Sequence, residues 1–587
     1  MDGRLRLAVA ASFVFLALPW ILPSFYVSIL AFAGIDALVA AGLILLLQSG
    51  QVSLGQASFM GLGAYGSALA SRELGLSPLI TLPASVAATA AVAAVVGAIT
   101  LRLRGHYLPL ATLAYGIALT GLFVACGDLT GGASGLDKIP PLSIAGYALT
   151  DDRLYACLIW AILILAIAGL ARLRASRVGR AVATLEDHDV MARSFGVDTT
   201  RLRVKVFVFS AALAALAGGL YVHLLRFVSP SPFALPTSLK VLIMAVVGGP
   251  LNGAGAVLGA LGIEGIQWGL QDLFARFGVS GNYEVIVFGL ILIAMLTNCP
   301  AGMWPLVEKA LPTSKPVAVE GRPLDPPTYG VAHDATLIKL RGVGIRFGGL
   351  RALDDVDFTL NSGELVGLIG PNGAGKTTLF SIISGIQEPT EGQVLLRGVT
   401  PRGQASLVTF GMARTFQHVQ LVADRTVLEN VALGAFHRTG SGFVRSLFGL
   451  DRREEARALA TAAGALDRVG LSEDAHRSAG SLPLGRQRIV EIARALAAGP
   501  DVLLLDEPAA GLRLAEKVQL VRLLRQLKSE NVTILLVEHD MDLVMSCVDR
   551  LVVLDRGRKI AEGAPASIQK DPAVIAAYLG GGHVQSA

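Results

Sequence analysis

Apolar runs at residues 7–22, 26–47, 79–101, 107–126, 154–173, 206–225, 239–263 and 285–296 dominate the first half of this chain. Each is near the roughly 20 residues that a helix needs to cross the hydrocarbon of a bilayer, or short enough to end inside it. That density of apolar segments leaves few folds open. In lipid every backbone N–H and C=O must be satisfied within the protein, so the runs are expected to be helices. The bulk values agree, since 53% hydrophobic and 16% charged residues with a mean hydropathy of +0.59 are too apolar for a chain surrounded by water.

Charge sets the expected topology. Arg4 and Arg6 precede the first run as in a signal peptide, but no small-residue cleavage site follows and a second run begins at Tyr26. The first run is therefore expected to stay as a membrane helix. Arg172, Arg174, Arg177, Arg180, Arg193, Arg201, Arg203 and Lys205 crowd one stretch, which should face the cytoplasm. An even number of crossings must separate it from the N-terminal arginines, so the weaker run 57–70 is expected to cross too. Parity further along breaks the run 239–263 at Gly248, Gly249 and Pro250. The expectation is about eight to ten crossings, with broken or re-entrant segments near Gln51 and Pro250. Gly61, Gly63, Gly66, Gly218 and Gly219 would let these helices pack closely.

Asp36 lies in the middle of a run, where a carboxyl either lines a pathway or is satisfied structurally. Glu264, at the end of a run, reads as structural. A net charge of +5 and a pI near 9.0 fit cytoplasmic Arg and Lys better than nucleic-acid binding, because no aromatic-basic module accompanies them. Cys126, Cys157, Cys299 and Cys547 are scattered and read as apolar fillers rather than metal ligands.

Pro312, Pro316, Pro323, Pro326 and Pro327 mark a linker over 312–336, a tether reaching on the order of 80 Å if extended. Expected domains are a transmembrane domain over 1–311 and a nucleotide-binding domain over 337–587. The second half alternates short β-rich runs with helical, charged stretches, the texture of an α/β domain. Its strand 365–369 runs into Gly370, Pro371, Asn372, Gly373, Ala374, Gly375, Lys376, Thr377 and Thr378, a phosphate-binding loop in its required strand-to-helix setting. The glycines let backbone amides curl around phosphate, Lys376 reaches the terminal phosphates, and the Thr377 hydroxyl ligates Mg²⁺. The apolar strand 502–505 ends in Asp506 and Glu507, one carboxylate for the metal shell and one to orient the attacking water. A second β-run, 532–537, ends at Glu538 and His539, offering an imidazole to the γ-phosphate.

With these motifs in order, the segment from about Leu337 to Gly582 resembles an ABC-transporter ATPase. The resemblance implies that Phe347 stacks on adenine and that Gln417 senses nucleotide, touches the membrane domain and joins Thr377 and Asp506 around Mg²⁺. It makes Glu507 the catalytic base and His539 the switch histidine. Leu482, Pro483, Leu484 and Gly485 stand at the signature position, so that Gly485 completes a partner's ATP site in trans. Two positions depart from the family pattern: Pro483 replaces a serine, and Arg513 stands where many members carry an aspartate. Residues 549–555, 559–563 and 574–580 resemble the ATPases of branched-chain amino acid importers, and 50–65, 129–135 and 179–187 resemble the permease of that system. Residues 186–196 match its coupling segment.

The chain thus reads as a multi-domain fusion, a polytopic α-helical permease followed by an α/β P-loop ATPase. The resemblance implies ATP and Mg²⁺ as cofactors, a multi-pass place in the bacterial inner membrane with the ATPase in the cytoplasm, and contact with membrane lipid. It also implies a second permease subunit, a second ABC ATPase subunit and a periplasmic solute-binding protein. Importers of urea, short amides or aromatic acids are the alternatives within the class. An exporter and a membrane-tethered regulatory ATPase are the alternatives outside it.

Overall fold

The computed structural model describes residues 3–101, 107–144, 146–277, 284–311, 321–329, 336–401 and 404–579. Two compact units form, one of Met1–Asp187, Thr200–Pro316 and Phe443–Leu450, the other of His188–Thr199, Val317–Gly442 and Asp451–Ala587.

In the first unit the apolar runs are helices. Among the described residues, five are long and apolar enough to cross a membrane: Ser24–Leu47, Pro78–Thr100, Tyr107–Ala125, Asp152–Ala175 and Thr199–Leu225. Arg6–Ile21, Leu235–Gly248 and Ile286–Asn298 are apolar but shorter. The weak run at 57–70 becomes the helix Gln56–Glu73, which stays outside both groups because Gln56, Ser58, Ser67, Ser71 and Arg72 lower its hydropathy. An expectation of about eight to ten crossings therefore depends on these shorter helices.

Ser24–Leu47 is the centre of this unit. It is buried along most of its length and packs against Asp152–Ala175, Leu235–Gly248 and Gly255–Arg276. The run 239–263 divides where glycine and proline predicted, with one helix ending at Gly248 and the next starting at Gly255. The chain also leaves helical geometry between Leu47 and Gln56. Irregular backbone in an apolar setting needs polar partners, and here one bond joins the two breaks while side chains of the helices Tyr107–Ala125 and Leu235–Gly248 supply two more. Gln48 Nε2 donates to the Pro250 carbonyl at 2.9 Å, Leu54 N to Thr112 Oγ1 at 2.9 Å, and Ala57 N to Ser238 Oγ at 3.1 Å. At Gly63 and Gly218 two helices meet backbone to backbone, since added Cβ atoms would stand 2.2 Å from the Ala215 oxygen and 1.9 Å from the Met60 oxygen.

The second unit carries a six-stranded sheet in the order Arg558–Gly563, Arg550–Asp555, Leu365–Ile369, Thr533–Val537, Val502–Asp506, Met412–Arg414. All neighbours are parallel except the outer pair at Arg558–Gly563. Leu365–Ile369, Val502–Asp506 and Thr533–Val537 are buried at every residue, as central parallel strands covered on both faces must be. A three-stranded antiparallel sheet of Leu350–Asn361, Thr336–Phe347 and Glu391–Leu396 completes the unit's core with the helix Lys376–Ile383.

The tether expected over 312–336 is shorter than its prolines suggested. Leu324 N donates to Thr461 Oγ1 at 2.8 Å, and the Arg438 guanidinium donates to the carbonyls of Leu324 and Asp325 at 3.0 and 2.8 Å. Arg457 also pairs with Asp325 at 2.7 Å. Residues 321–329 are thus pinned to the second unit, while 312–320 and 330–335 lie outside the described residues.

Candidate functional site

The central parallel strands deliver their ends to one edge of the sheet, where ligand-binding loops of open α/β folds gather. Leu368 pairs with Val537 and Asp506 also pairs with Val537, so the loops after these strands start at one level. After Ile369 the chain turns through Gly370, Gly373 and Gly375, with φ of 153°, 79° and 96°. Gly370 cannot be replaced without strain, because a Cβ there would stand 2.2 Å from the Leu554 oxygen. The helix begins directly at Lys376, so its first N–H groups face the loop.

Lys376 is only 6% exposed, and its Nζ donates to the carbonyls of Gly370 at 2.7 Å and Pro371 at 3.0 Å. Burial lowers its pKa, opposed by the charge of Glu507. The ammonium is therefore held inside the cradle formed by Gly370, Pro371, Asn372, Gly373, Ala374 and Gly375. Thr377 is exposed in the first turn with Thr378 beside it. Phe347, at 48% exposure, ends its strand opposite Leu350, and the strand begun by Leu350 reaches the cradle at Leu353, 2.8 Å from a Cβ placed on Gly375.

Asp506 ends its strand buried, with its N–H donating to Thr415 Oγ1 at 3.2 Å and Arg414 Nη2 3.8 Å from its carboxylate. Burial raises its pKa, opposed by Arg414 and reinforced by Glu507. Glu507 follows with φ of 47°, a left-handed conformation that its N–H bond to the Val537 oxygen at 2.9 Å helps to hold. Its Oε1 lies 2.8 Å from His539 Nε2. Half-buried carboxylate and exposed imidazole thus form one pair beside the cradle, the arrangement needed to take a proton from a water attacking phosphate.

Gln417 sits exposed three residues beyond the edge strand Met412–Arg414, and its carbonyl accepts from Arg488 Nη2 at 2.9 Å. Arg488 Nη1 also donates to the Glu507 carbonyl at 3.2 Å. Sequence reading gave Arg488 no role. Gly485, the second residue of the helix Leu484–Ala497, packs on Glu516, whose Oε2 would be 2.9 Å from a Cβ added at this glycine. The same carboxylate accepts from Arg513 N at 2.8 Å. Pro483 is the N-cap and makes no side-chain cap bond, so it leaves this helix end without the hydroxyl a serine would supply.

Most of the segment read as a coupling element, 186–196, lies here too. Segment His188–Thr199 belongs to this unit, with Phe195 fully buried and its ring 5.5 Å from the Arg494 guanidinium. Arg494 pairs with Glu491 at 3.0 Å and donates to the Gln420 carbonyl, while Gln420 N donates to Glu491 Oε1 at 3.0 Å. Gly196 sits against His437, whose Cβ would be 3.0 Å from an added methyl. The segment read as a coupling element is therefore seated on the helix that also carries Arg488 and Gly485.

A strand-end phosphate cradle, an acidic pair and a histidine on one sheet edge make this a nucleotide-binding ATPase centre. The family described as ABC transporter matches residues 353–510, branched-chain amino acid transport system / permease component matches 25–296, and branched-chain amino acid ATP-binding cassette transporter matches 558–584. The high-affinity branched-chain amino acid transport ATP-binding protein LivG of Escherichia coli K12 is 44% identical over 249 residues, 42% of this chain and 98% of LivG. BraF of Pseudomonas aeruginosa, with the same description, is 43% identical over the same shares. A nucleotide-free ATP-binding cassette from an ABC transporter is 32% identical, with a TM-score of 0.38 over 42% of this chain and 99% of that one. The chain belongs to the ABC transporter family, as a permease of the branched-chain amino acid type joined to its ATP-binding component in one polypeptide. It is a multi-pass membrane protein with a cytoplasmic ATPase.

Proposed function

We propose that this chain imports branched-chain amino acids across a bacterial inner membrane, driven by ATP, with residues 1–311 as permease and 337–587 as ATPase. The observation that carries the reading is the seating of Phe195 on Arg494, because it ties a segment from the permease half of the sequence to the helix that holds the Gln417 and Glu507 carbonyls through Arg488. Phosphate charge entering the cradle meets Lys376 and the helix N-terminus. Glu507 takes the proton of the attacking water, and His539 orders that carboxylate at 2.8 Å. Movement of either carbonyl passes through Arg488 to the helix and so to the docked segment, which biases a two-state membrane pathway.

The hydroxyl of Thr377, the amide oxygen of Gln417 and the buried carboxylate of Asp506 form a hard oxygen donor set suited to Mg²⁺. When bound, the ion would neutralise charge on the phosphates. Gly485 completes the site of a second ABC ATPase subunit, whose own signature completes this one. A second permease subunit and a periplasmic solute-binding protein fill out the assembly. The departures at Pro483 and Arg513 make the site that Gly485 completes the weaker of the two.

The test is uptake of labelled leucine, with urea and benzoate in parallel, in a deletion strain carrying wild type or Glu507→Gln. Leucine uptake restored only by wild type supports the reading. Gene-dependent uptake of urea or benzoate without leucine would overturn the substrate and leave the transporter standing.

A further inference from the structure

We infer that Phe443–Leu450, a segment from the nucleotide-binding half of the sequence, is a membrane-interface element, with Val444, Phe448 and Leu450 entering the cytoplasmic boundary between lipid headgroups and acyl chains.

The chain leaves the second unit after Gly442, joins the first unit over this segment, and returns at Asp451. A short helix, Phe443–Leu447, opens the segment, and Phe448 N donates to the Val444 carbonyl at 3.2 Å, which carries the turn on by one residue. Its two faces differ. Phe443 and Ser446 are buried, and the Phe443 ring lies 5.4 Å from that of Phe209 on the helix Thr199–Leu225. Val444 and Phe448 share the other face as an i, i+4 pair and are 65% and 62% exposed, and Leu450 beyond them is 73% exposed.

What the outer face meets follows from where the inner one sits. Leu447 lies over Gly169, its Cδ1 3.1 Å from a Cβ placed there, and Gly449 lies against Arg172, whose Cδ would be 3.2 Å from an added methyl. Both partners belong to the membrane helix Asp152–Ala175. Gly169 is one turn beyond Leu165, which is 72% exposed, so the segment covers the continuation of a stripe that faces lipid. Depth follows from length. The 24 residues of this helix span about 36 Å, against a hydrocarbon core of about 30 Å. The excess is little more than one turn, and Arg172 and Arg174 place it at the cytoplasmic end. The acyl boundary therefore passes close to residues 169–172, where Leu447 and Gly449 dock. Three large apolar side chains held at that depth have hydrocarbon beside them and need no protein cover. Arg445 and Arg172, both exposed, supply the cations that anionic headgroups attract.

The experiment uses the full chain in nanodiscs of phosphatidylethanolamine and phosphatidylglycerol, with photoreactive benzoylphenylalanine replacing one residue at a time. Leu165 serves as the lipid-facing reference, and Val518, 46% exposed on the helix Leu514–Ser529 of the second unit, as the reference outside the membrane. After irradiation, mass spectrometry reads phospholipid adducts. Positions 444 and 448 should match Leu165 and exceed Val518 by about tenfold or more, as side chains buried in the interface would. Position 450 repeats the reading should either labelled chain fail to insert. Yields no higher than at Val518 would overturn the inference. So would adducts to a protein subunit in place of lipid when the complete transporter is irradiated, because the face would then be an interface between subunits.

Discussion

Replacing Phe195 by alanine should uncouple ATP hydrolysis from transport. Phe195 is fully buried, its ring beside Arg494, and Val197 and Met191 of the same segment are buried with it. Truncating a buried phenylalanine costs about 3–5 kcal/mol, which includes the contact with a desolvated guanidinium. At about 1.4 kcal/mol per factor of ten, the seated state of His188–Thr199 would lose about 10²- to 4 × 10³-fold against the unseated one. The phosphate cradle, Glu507 and His539 contain no part of this segment, so hydrolysis should continue. The assay is solute moved per ATP hydrolysed in proteoliposomes holding the complete assembly, and that ratio should fall by about tenfold or more. Phe195→Leu, which keeps most of the apolar volume, should recover much of it. A fall of transport and hydrolysis in the same proportion, with the ratio unchanged, would refute the reasoning.

Glu507→Gln keeps the length of the side chain while removing the base, and should reduce hydrolysis by about 10²–10⁴-fold with ATP still bound, as read by phosphate release beside nucleotide binding. Lys376→Met removes the cation that bonds the Gly370 and Pro371 carbonyls, and should weaken ATP binding by about 10²-fold in an equilibrium titration. Burial, then Arg438, push the imidazole of His437 down from 6.5 to about 4. The unfolded chain therefore takes up the proton first as pH falls, so stability should be level above 6.5 and decline between 6.5 and about 4. Melting of the full chain at about pH 5 and about pH 7.5 should show this loss, and a His437→Leu chain should show less of it. Chelation of Mg²⁺ should stop hydrolysis in wild type, and an unchanged rate in excess chelator would remove Thr377, Gln417 and Asp506 from that role.

What the sequence carried well was local. The loop from Gly370 to Thr378 and the pairs Asp506–Glu507 and Glu538–His539 each follow an apolar strand directly, so motif and geometry occupy the same few residues. The break at Gly248 to Gly255 was legible for the same reason. What it hid was assembled from distant parts. Asp36 stood out alone because an acid inside an apolar run is conspicuous, but Lys240 did not, since it sits near the polar start of the helix Leu235–Gly248. Glu264 read as a structural end-of-run residue, whereas it is buried and shares Lys240 with Asp36. Proline count suggested a free tether at 312–336, yet Leu324 and Asp325 are held by Thr461, Arg438 and Arg457, residues that carry no signal for that task. The segment 186–196 stood out by its resemblance to a coupling element, but only the fold sets its Phe195 against Arg494.

One guanidinium, that of Arg488, fastens both the carbonyl of Glu507 and the carbonyl of Gln417. A fastener of this kind has no preferred direction. Whatever factor bound nucleotide adds to the affinity of the groove for His188–Thr199, the seated segment must add to the affinity for nucleotide. The cargo side of the protein therefore has a say in when fuel is taken up, and titrating ATP against chains with intact and weakened seating would measure that say without any solute being moved.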